Sequence, residues 1–195
     1  MNTIASSLSE WTAMWAAALP GFAIDSTWRV ASARWTPLLT RPFEPLELES
    51  EDDVTLAILS LRSPGGRYTL DVDSYQYIRP EGDSLEVGGE PDSQCSLIDN
   101  RSHLEVVLQQ CGTPGGFHWG MWLSRTSFAV GGWRDADDFG QWKQGRLWIY
   151  SIPESTLVEY ETRIMSADDY ARYQAAWHGW LLKRYRALKP MSPRT

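Results

Sequence analysis

Between residues 54 and 164, the sequence alternates short runs of β-branched and aromatic residues with tight turns. Strand-like runs occur at residues 54–62, 68–72, 74–78, 94–99, 104–111, 117–123, 127–131 and 146–152. In the turn Ser63-Pro64-Gly65-Gly66, proline suits position i+1 and Gly65 supplies a positive φ at i+2. Connections this short favour antiparallel pairing, because parallel strands need crossovers of about a dozen residues or more. The region therefore predicts about seven or eight short strands in a twisted, mainly antiparallel sheet.

Four segments are interpreted from local composition. Residues 54–62 are apolar in both alternating sets, which predicts a strand buried on both faces. Residues 80–93 are rich in Gly, Pro, Asp and Ser, which predicts turns. Thr113-Pro114-Gly115-Gly116 predicts another tight turn, and residues 28–35 predict one short strand that Pro37 prevents from continuing.

A helix is predicted at each end of the chain. Ser7-Leu8-Ser9-Glu10 fits a capping box, and Pro20-Gly21 ends the apolar-faced segment that follows, which places a helix at residues 6–19. Ser166-Ala167-Asp168-Asp169 opens a second helix at 166–188, whose apolar stripe comprises Tyr170, Tyr173, Trp177, Trp180, Leu181, Arg184 and Leu188. Helices packed on one face or end of an antiparallel sheet make an α+β fold. The length of 195 residues fits a single domain, residues 1–195, with its β-rich core at 54–164.

Charge and hydropathy restrict the partners and the location. The net charge of −7 argues against nucleic-acid binding, which requires a dense basic face. No apolar run approaches the roughly 20 residues that span a bilayer. No basic residue precedes the apolar patch at 13–19, as a signal peptide would require. We therefore expect an acidic, soluble, cytoplasmic protein with no membrane partner. In that compartment two buried thiols are favoured for Cys95 and Cys111, and a disulfide between them across a hairpin is the alternative.

The sequence lacks the common motifs of catalysis and of cofactor or metal binding. It contains no Gly-x-Ser-x-Gly, P-loop, Gly-x-Gly-x-x-Gly or His-Glu-x-x-His sequence. The three histidines, His103, His118 and His178, have no metal-ligand spacing. We therefore predict no catalytic residues, no cofactor and no metal site.

Two residue pairs keep weaker chemical hypotheses open. Asp71 and Asp73 would share one face of a strand, close enough to bind a cation or to split their pKa values. Cys111 and His118 flank a turn that would bring a thiol near a base. The alternatives are solvated carboxylates for the first pair and structural residues for the second.

Three segments carry a recognisable combination of turn and strand. Ser63-Pro64-Gly65-Gly66-Arg67-Tyr68, the segment 122–131 and the segment 147–152 resemble the turns and strands of β-propeller blades. The resemblance covers about 110 residues, whereas four blades of about 40 residues are the usual minimum. It therefore implies antiparallel meanders without a complete propeller, and it carries no active site.

Tryptophan is unusually frequent, with eleven in the chain, and five crowd between residues 117 and 150. The segment 131–145 is long for a hairpin connection, for which about two to five residues suffice. Its aromatic rings lie beside carboxylates, a combination that suits anchoring and steering of a basic protein partner. The predicted binding residues are Trp119, Trp122, Trp133, Asp135, Asp137, Asp138, Phe139 and Trp142. The competing interpretation places these rings in an aromatic core beneath the helices.

Three functional hypotheses follow. The leading one is a non-enzymatic binding protein that recognises a protein partner, such as an inhibitor or immunity-type protein that masks a basic toxin or enzyme. The second is a carbohydrate-binding or carbohydrate-processing domain that stacks sugars on tryptophan and uses the carboxylates of Asp71 and Asp73 or of Asp135 and Asp137. The third is a scaffold or dimerisation domain.

Overall fold

The computed structural model describes residues 8–19, 22, 29–44, 54–89, 91–112 and 115–188. Its helices are α1 (Ser9–Ala18), α2 (Thr55–Leu59) and α3 (Ala167–Leu188). Its strands are β1 (Arg29–Arg34), β2 (Leu39–Pro42), β3 (Ser60–Arg62), β4 (Tyr68–Asp71), β5 (Gln76–Glu81), β6 (Ser84–Gly89), β7 (Ser93–Asp99), β8 (Leu104–Cys111), β9 (Gly115–Trp122), β10 (Ser127–Asp135), β11 (Lys143–Ser151) and β12 (Thr156–Met165). The α+β prediction is confirmed.

The strands form two five-stranded sheets and a separate hairpin. The first sheet has the order β1-β12-β11-β10-β9, so the chain from β9 to β12 is an antiparallel meander. The second sheet has the order β2-β8-β7-β4-β3, and β5 pairs only with β6. Every strand pair is antiparallel, as the short connections predict.

Glycines in the first sheet show which layers cover its two faces. A Cβ at Gly131 would clash with the Trp11 ring, and one at Gly145 would clash with Trp15, so α1 packs closely on one face. A Cβ at Gly120 would meet Val72 and Leu70 of the second sheet on the opposite face. The first sheet is therefore the middle layer, between the second sheet and the helices.

Both predicted terminal helices are present. The Ser166 capping box is complete: Ser166 N–H donates to Asp169 Oδ2 at 3.1 Å, and Asp169 N–H donates to Ser166 Oγ at 3.2 Å. At the other end, the helix begins at Ser9 with Leu8 as its N-cap, and the predicted cap Ser7 lies outside the described residues. Among the described residues, no helix is long and apolar enough to span a bilayer.

The aromatic core accounts for most of the tryptophans. Of the α3 stripe, four side chains are buried, namely Tyr173, Trp177, Trp180 and Leu181. Trp11 and Trp15 of α1 are also buried, and the Trp15 ring stacks on Tyr173 with centroids 4.2 Å apart. The expected packing of helical aromatics on the sheet is therefore confirmed for these residues.

Several local predictions need correction. Residues 54–62 form α2 followed by the short β3, rather than one strand. Residues 80–93 hold the end of β5, all of β6 and the start of β7, rather than turns alone, and β12 was not predicted. The turn at 63–66 is present, but its positive φ, 69°, is at Gly66 rather than at Gly65. In the second predicted turn, Gly115 and Gly116 belong to β9, while Thr113 and Pro114 lie outside the described residues.

Candidate functional site

The predicted recognition loop is shorter than its sequence suggested. Gly131 pairs with Leu147 and Asp135 with Lys143, so β10 and β11 continue as a ladder through most of the segment 131–145. The true connection is residues 136–142, which we call the 136–142 turn. Trp133 and Asp135 are therefore strand residues at its base, whereas Asp137, Asp138, Phe139 and Trp142 belong to the turn itself.

Internal hydrogen bonds give the 136–142 turn a defined shape. The Ala136 N–H donates to the Trp142 carbonyl oxygen at 2.8 Å. The Trp142 N–H donates to Asp137 Oδ1 at 3.1 Å, a side-chain contact across five residues that closes the turn. Gly140 adopts a φ of 67°, in the region that glycine occupies without strain. The turn is therefore closed by one backbone hydrogen bond between its ends and by one carboxylate.

The turn presents apolar surface to solvent. Phe139 is 85% exposed and Trp142 is 46% exposed. Asp138, which precedes Phe139 in the sequence, is also exposed. Rings held outward on an ordered turn are prepared for contact with another molecule, because little conformational freedom remains to be lost on binding.

A cation and two aromatic rings anchor the base of the turn. The Lys143 ammonium lies 4.5 Å from the Trp133 ring centroid and 5.5 Å from that of Tyr170 on α3. It also forms an ion pair with Asp135, and the Trp133 and Tyr170 rings have centroids 4.9 Å apart. Cation–π contacts of this kind stabilise by about 0.5–2 kcal/mol each. They attach the ends of β10 and β11 to α3.

His118 lies beneath this base as a structural residue. Its Nε2 accepts a hydrogen bond from Trp133 Nε1 at 3.2 Å, and its ring stacks on Trp177 with centroids 3.9 Å apart. Burial, aided by the nearby His178, lowers the pKa of His118 to about 3. Burial also raises the pKa of Cys111 to about 11. The thiol stays protonated and the Nε2 lone pair is occupied, so the pair lacks an activated nucleophile and an available base.

The other two predicted binding residues lie away from the turn. Trp119 is only 1% exposed and packs near Trp11 with centroids 6.5 Å apart. Trp122 is half-buried, stacks on Tyr68, and donates from Nε1 to the Leu61 carbonyl oxygen at 2.8 Å. Trp119 is a core residue, which corrects its assignment to the recognition surface, and Trp122 links the two sheets.

Asp71 and Asp73 form part of a buried polar cluster. Leu70 and Val72 face the first sheet, so strand alternation places Asp71 on the opposite face of the second sheet. Asp73 is 1% exposed; its Oδ2 accepts hydrogen bonds from Ser93 Oγ at 2.5 Å and from Gln76 Nε2 at 2.8 Å. Burial raises the pKa of Asp73 to about 7 and that of Asp71 to about 6.

A third carboxylate completes this cluster. Glu105 Oε1 accepts hydrogen bonds from Ser96 Oγ at 2.7 Å and Gln94 Nε2 at 3.1 Å, and its Oε2 pairs with Arg41 Nε at 2.6 Å. The Glu105 charge contributes to the raised pKa of Asp71. Sequence reasoning missed this part of the cluster, although the alternation of polar residues at 94 and 96 is its visible signal.

The cluster provides protonatable carboxyl groups but few open ligand positions. Among the residues that the structure describes, no group of three His, Cys, Asp or Glu side chains is arranged to hold a metal ion. The oxygens of Asp73 already accept bonds from Ser93, Gln76 and the Tyr75 N–H. The exposed part of the predicted site is therefore the 136–142 turn.

Comparison with known proteins assigns no family. No protein-family model matches the chain, and no curated protein matches it. Among solved structures, it is similar to a protein from Clostridium novyi NT described as a conserved lipoprotein, with 14% identity and a TM-score of 0.31. The match covers 51% of this chain and 57% of the Clostridium protein, so it spans little more than half the length of either protein. A similarity of this size carries no argument about fold or function.

Proposed function

We propose that this chain is a non-enzymatic binding protein that recognises a protein partner through the 136–142 turn. The observation that carries the proposal is the exposure of Phe139, 85%, on a turn closed by its own hydrogen bonds. Large aromatic side chains are favoured anchors at the centre of protein interfaces. Trp142, 46% exposed in the same turn, would supply a second anchor.

The charge of the turn indicates the chemistry of the partner. Residues 136–142, Ala-Asp-Asp-Phe-Gly-Gln-Trp, contain two carboxylates and no cation. An acidic rim around aromatic anchors favours a partner with an apolar pocket bordered by Lys or Arg, and it accelerates encounter with a basic surface. An inhibitor or immunity-type protein that masks a basic toxin or enzyme would have these features. A cytoplasmic location belongs to the same proposal, and cell fractionation tests it.

The test is affinity capture with a matched control. Tagged wild type, Phe139→Ala/Trp142→Ala and Leu38→Ala/Leu39→Ala are used to capture proteins, which mass spectrometry identifies. Leu38 and Leu39 are 62% and 48% exposed outside the turn, so the control removes comparable exposed apolar surface. We expect a basic protein with wild type and control but not with the turn variant. Equal capture by all three proteins would refute the proposed site.

Carbohydrate binding is the competing proposal, since exposed aromatic rings also stack on sugars. A glycan array with the same three proteins separates the two. Retention that depends on Phe139 and Trp142, without a captured protein, would replace the first proposal by the second. Sugar processing by Asp71 and Asp73 has less support, because these carboxyls are 7% and 1% exposed.

A further inference from the structure

Helices α1 and α3 border an open groove on the solvent side of the helical layer. The groove consists of two adjoining hollows of about 350 Å³ and 280 Å³, which share Glu10, Trp180 and Lys183 in their linings. The rest of the lining is mainly small or apolar and includes Ala13, Met14 and Gly179. A side chain of another molecule can therefore enter between the helices.

Gly179 leaves the groove open at its centre. A Cβ added there would meet no heavy atom within 4 Å, so packing does not require glycine at this position. Glycine is also the least favourable residue in a helix interior apart from proline. Its effect on the surface is to deepen the groove beside Trp180.

The rim of the groove carries more positive than negative charge. Lys183 has a side chain that is 78% exposed, and the Arg184 guanidinium lies 4.9 Å from the Trp180 ring centroid. Among the described residues that line the groove, Glu10 is the single carboxylate. Its Oε2 accepts from Trp180 Nε1 at 3.0 Å, and its Oε1 lies 3.9 Å from Lys183 Nζ. An apolar floor with two cations at the rim suits an aromatic side chain flanked by acids.

The 136–142 turn of the same chain has this complementary chemistry. It carries Phe139 at 85% exposure beside Asp137 and Asp138, with no cation between residues 136 and 142. We propose that a second copy of the chain inserts its 136–142 turn into the groove, with Phe139 against Trp180 and Gly179 and with Asp138 near Lys183. The proposal goes beyond the proposed function, because self-association then masks the turn from any other partner.

Two such contacts are able to close into a symmetric dimer. The base of the turn contacts Tyr170 near the start of α3, and Lys183 lies thirteen residues further along. At about 1.5 Å per residue, the two points are about 20 Å apart along the helix. In the proposed dimer, a two-fold axis sets two α3 helices side by side and antiparallel, so that each turn would meet the other copy's groove. Because both contacts form in one pair, assembly stops at the dimer.

A charge-swap experiment tests the assembly. Sedimentation velocity over a range of concentrations is measured for full-length wild type, Asp138→Lys, Lys183→Glu and an equimolar mixture of the two variants. In the mixed pair, the Lys at position 138 meets the Glu at position 183, and the unaltered turn meets the unaltered groove. We expect a concentration-dependent dimer for wild type, about tenfold or greater weakening in each variant alone, and recovery in the mixture, since like charges across an interface are strongly unfavourable.

A second pair of variants tests the groove itself. Gly179→Trp fills the hollow and should abolish dimerisation, whereas Leu39→Trp, at an exposed position on the second sheet and away from the helices, should not. Circular dichroism checks that both variants fold. A wild type that stays monomeric, a mixture that does not associate, or a Gly179→Trp variant that still dimerises would each overturn the inference.

The experiments distinguish the dimer from the partner, although both use the 136–142 turn. Gly179→Trp keeps the turn intact, so under the proposed function it should capture the basic partner at least as well as wild type does. Loss of dimerisation with retained capture supports both proposals. Failure of capture by every protein, together with the expected charge-swap pattern, would refute the proposed function alone.

Discussion

The indole N–H of Trp133 donates to Nε2 of His118 at 3.2 Å, which fixes this histidine as a hydrogen-bond acceptor inside the protein. Neutral imidazole has one N–H and one lone pair, so the proton resides on Nδ1. Within the described structure, the buried Nδ1 has no hydrogen-bond partner. The base of the 136–142 turn therefore depends on a neutral histidine that is only half satisfied.

A double-mutant cycle measures this contact. Trp133→Phe leaves the Nε2 acceptor without its donor, and His118→Phe leaves the indole N–H without its acceptor. Each single change should lower the free energy of unfolding, in part through an unsatisfied buried group that costs about 1–3 kcal/mol. The double variant should lose less than the sum, with a coupling of about 1 kcal/mol or more in urea unfolding. Strict additivity would show that the hydrogen bond contributes nothing.

The aromatic residues of the predicted site should divide into two classes in a thermal melt. Phe139→Ala/Trp142→Ala removes one ring that is 85% exposed and one that is 46% exposed, and should leave the melting temperature within about two degrees of wild type. Trp133→Ala removes a half-buried ring that contacts Lys143, His118 and Tyr170. We expect a loss of about 2 kcal/mol or more, hence a drop of several degrees. A large drop for the turn variant would show that these rings stabilise the fold.

A double replacement of Trp133 and Trp142, the two tryptophans of the segment 131–145, would therefore give a mixed result. Sequence spacing alone does not distinguish a strand residue from a loop residue at either end of 131–145. The ladder continues because Gly131 and Gly145 allow Trp11 and Trp15 to approach the sheet, and these long-range contacts are not visible in local composition.

Other differences between the sequence-based predictions and the structure also arise from contacts that are distant in sequence. The apolar run 54–62 lacks periodicity, and such runs do not distinguish a buried strand from a buried helix. In the structure, Thr55 Oγ1 accepts a hydrogen bond from the Ile78 N–H at 2.7 Å at the start of α2. That tertiary contact lies 23 residues away in sequence. By contrast, α3 was predictable to within a residue because its capping box and apolar stripe are both local.

Asp73 should make stability depend on pH in a defined direction. Its pKa is raised from 3.8 to about 7 on folding, chiefly by burial. Between these values, the folded state binds more protons than the unfolded state, so this group's contribution is complete below pH 3.8 and is lost as pH rises toward 7. The pKa of Asp71 is raised from 3.8 to about 6, so Asp71 acts in the same direction over a narrower pH interval.

The variant Asp73→Asn tests that direction. It removes the titrating group and keeps an oxygen that accepts from the Tyr75 N–H. Its amide NH2 group, however, would face Ser93 Oγ and Gln76 Nε2, which donate hydrogen bonds to the carboxylate of Asp73. The stability of wild type relative to the variant should therefore be greatest below pH 3.8 and should fall as the pH rises to 7. His118 acts oppositely in both proteins, since its lowered pKa destabilises below its usual value of 6.5, and it cancels in the difference. A pH-independent difference in urea midpoints would contradict the assignment.

The packing of α1 on the first sheet can be tested with one substitution, glycine to alanine, made at three positions. We expect it to lower the free energy of unfolding at Gly131 and Gly145 and to raise it at Gly179. Gly131→Ala places a methyl group against the Trp11 ring, and Gly145→Ala places one against Trp15. Both tryptophans are fully buried, so neither ring moves without repacking the core, and each variant should lose about 1–3 kcal/mol.

Gly179→Ala is the matched control, because its Cβ meets nothing within 4 Å. There the helix propensity of alanine should stabilise by up to about 1 kcal/mol. Chemical denaturation of the three variants provides the measurement, and destabilisation of Gly179→Ala together with neutral changes at Gly131 and Gly145 would contradict this packing of α1.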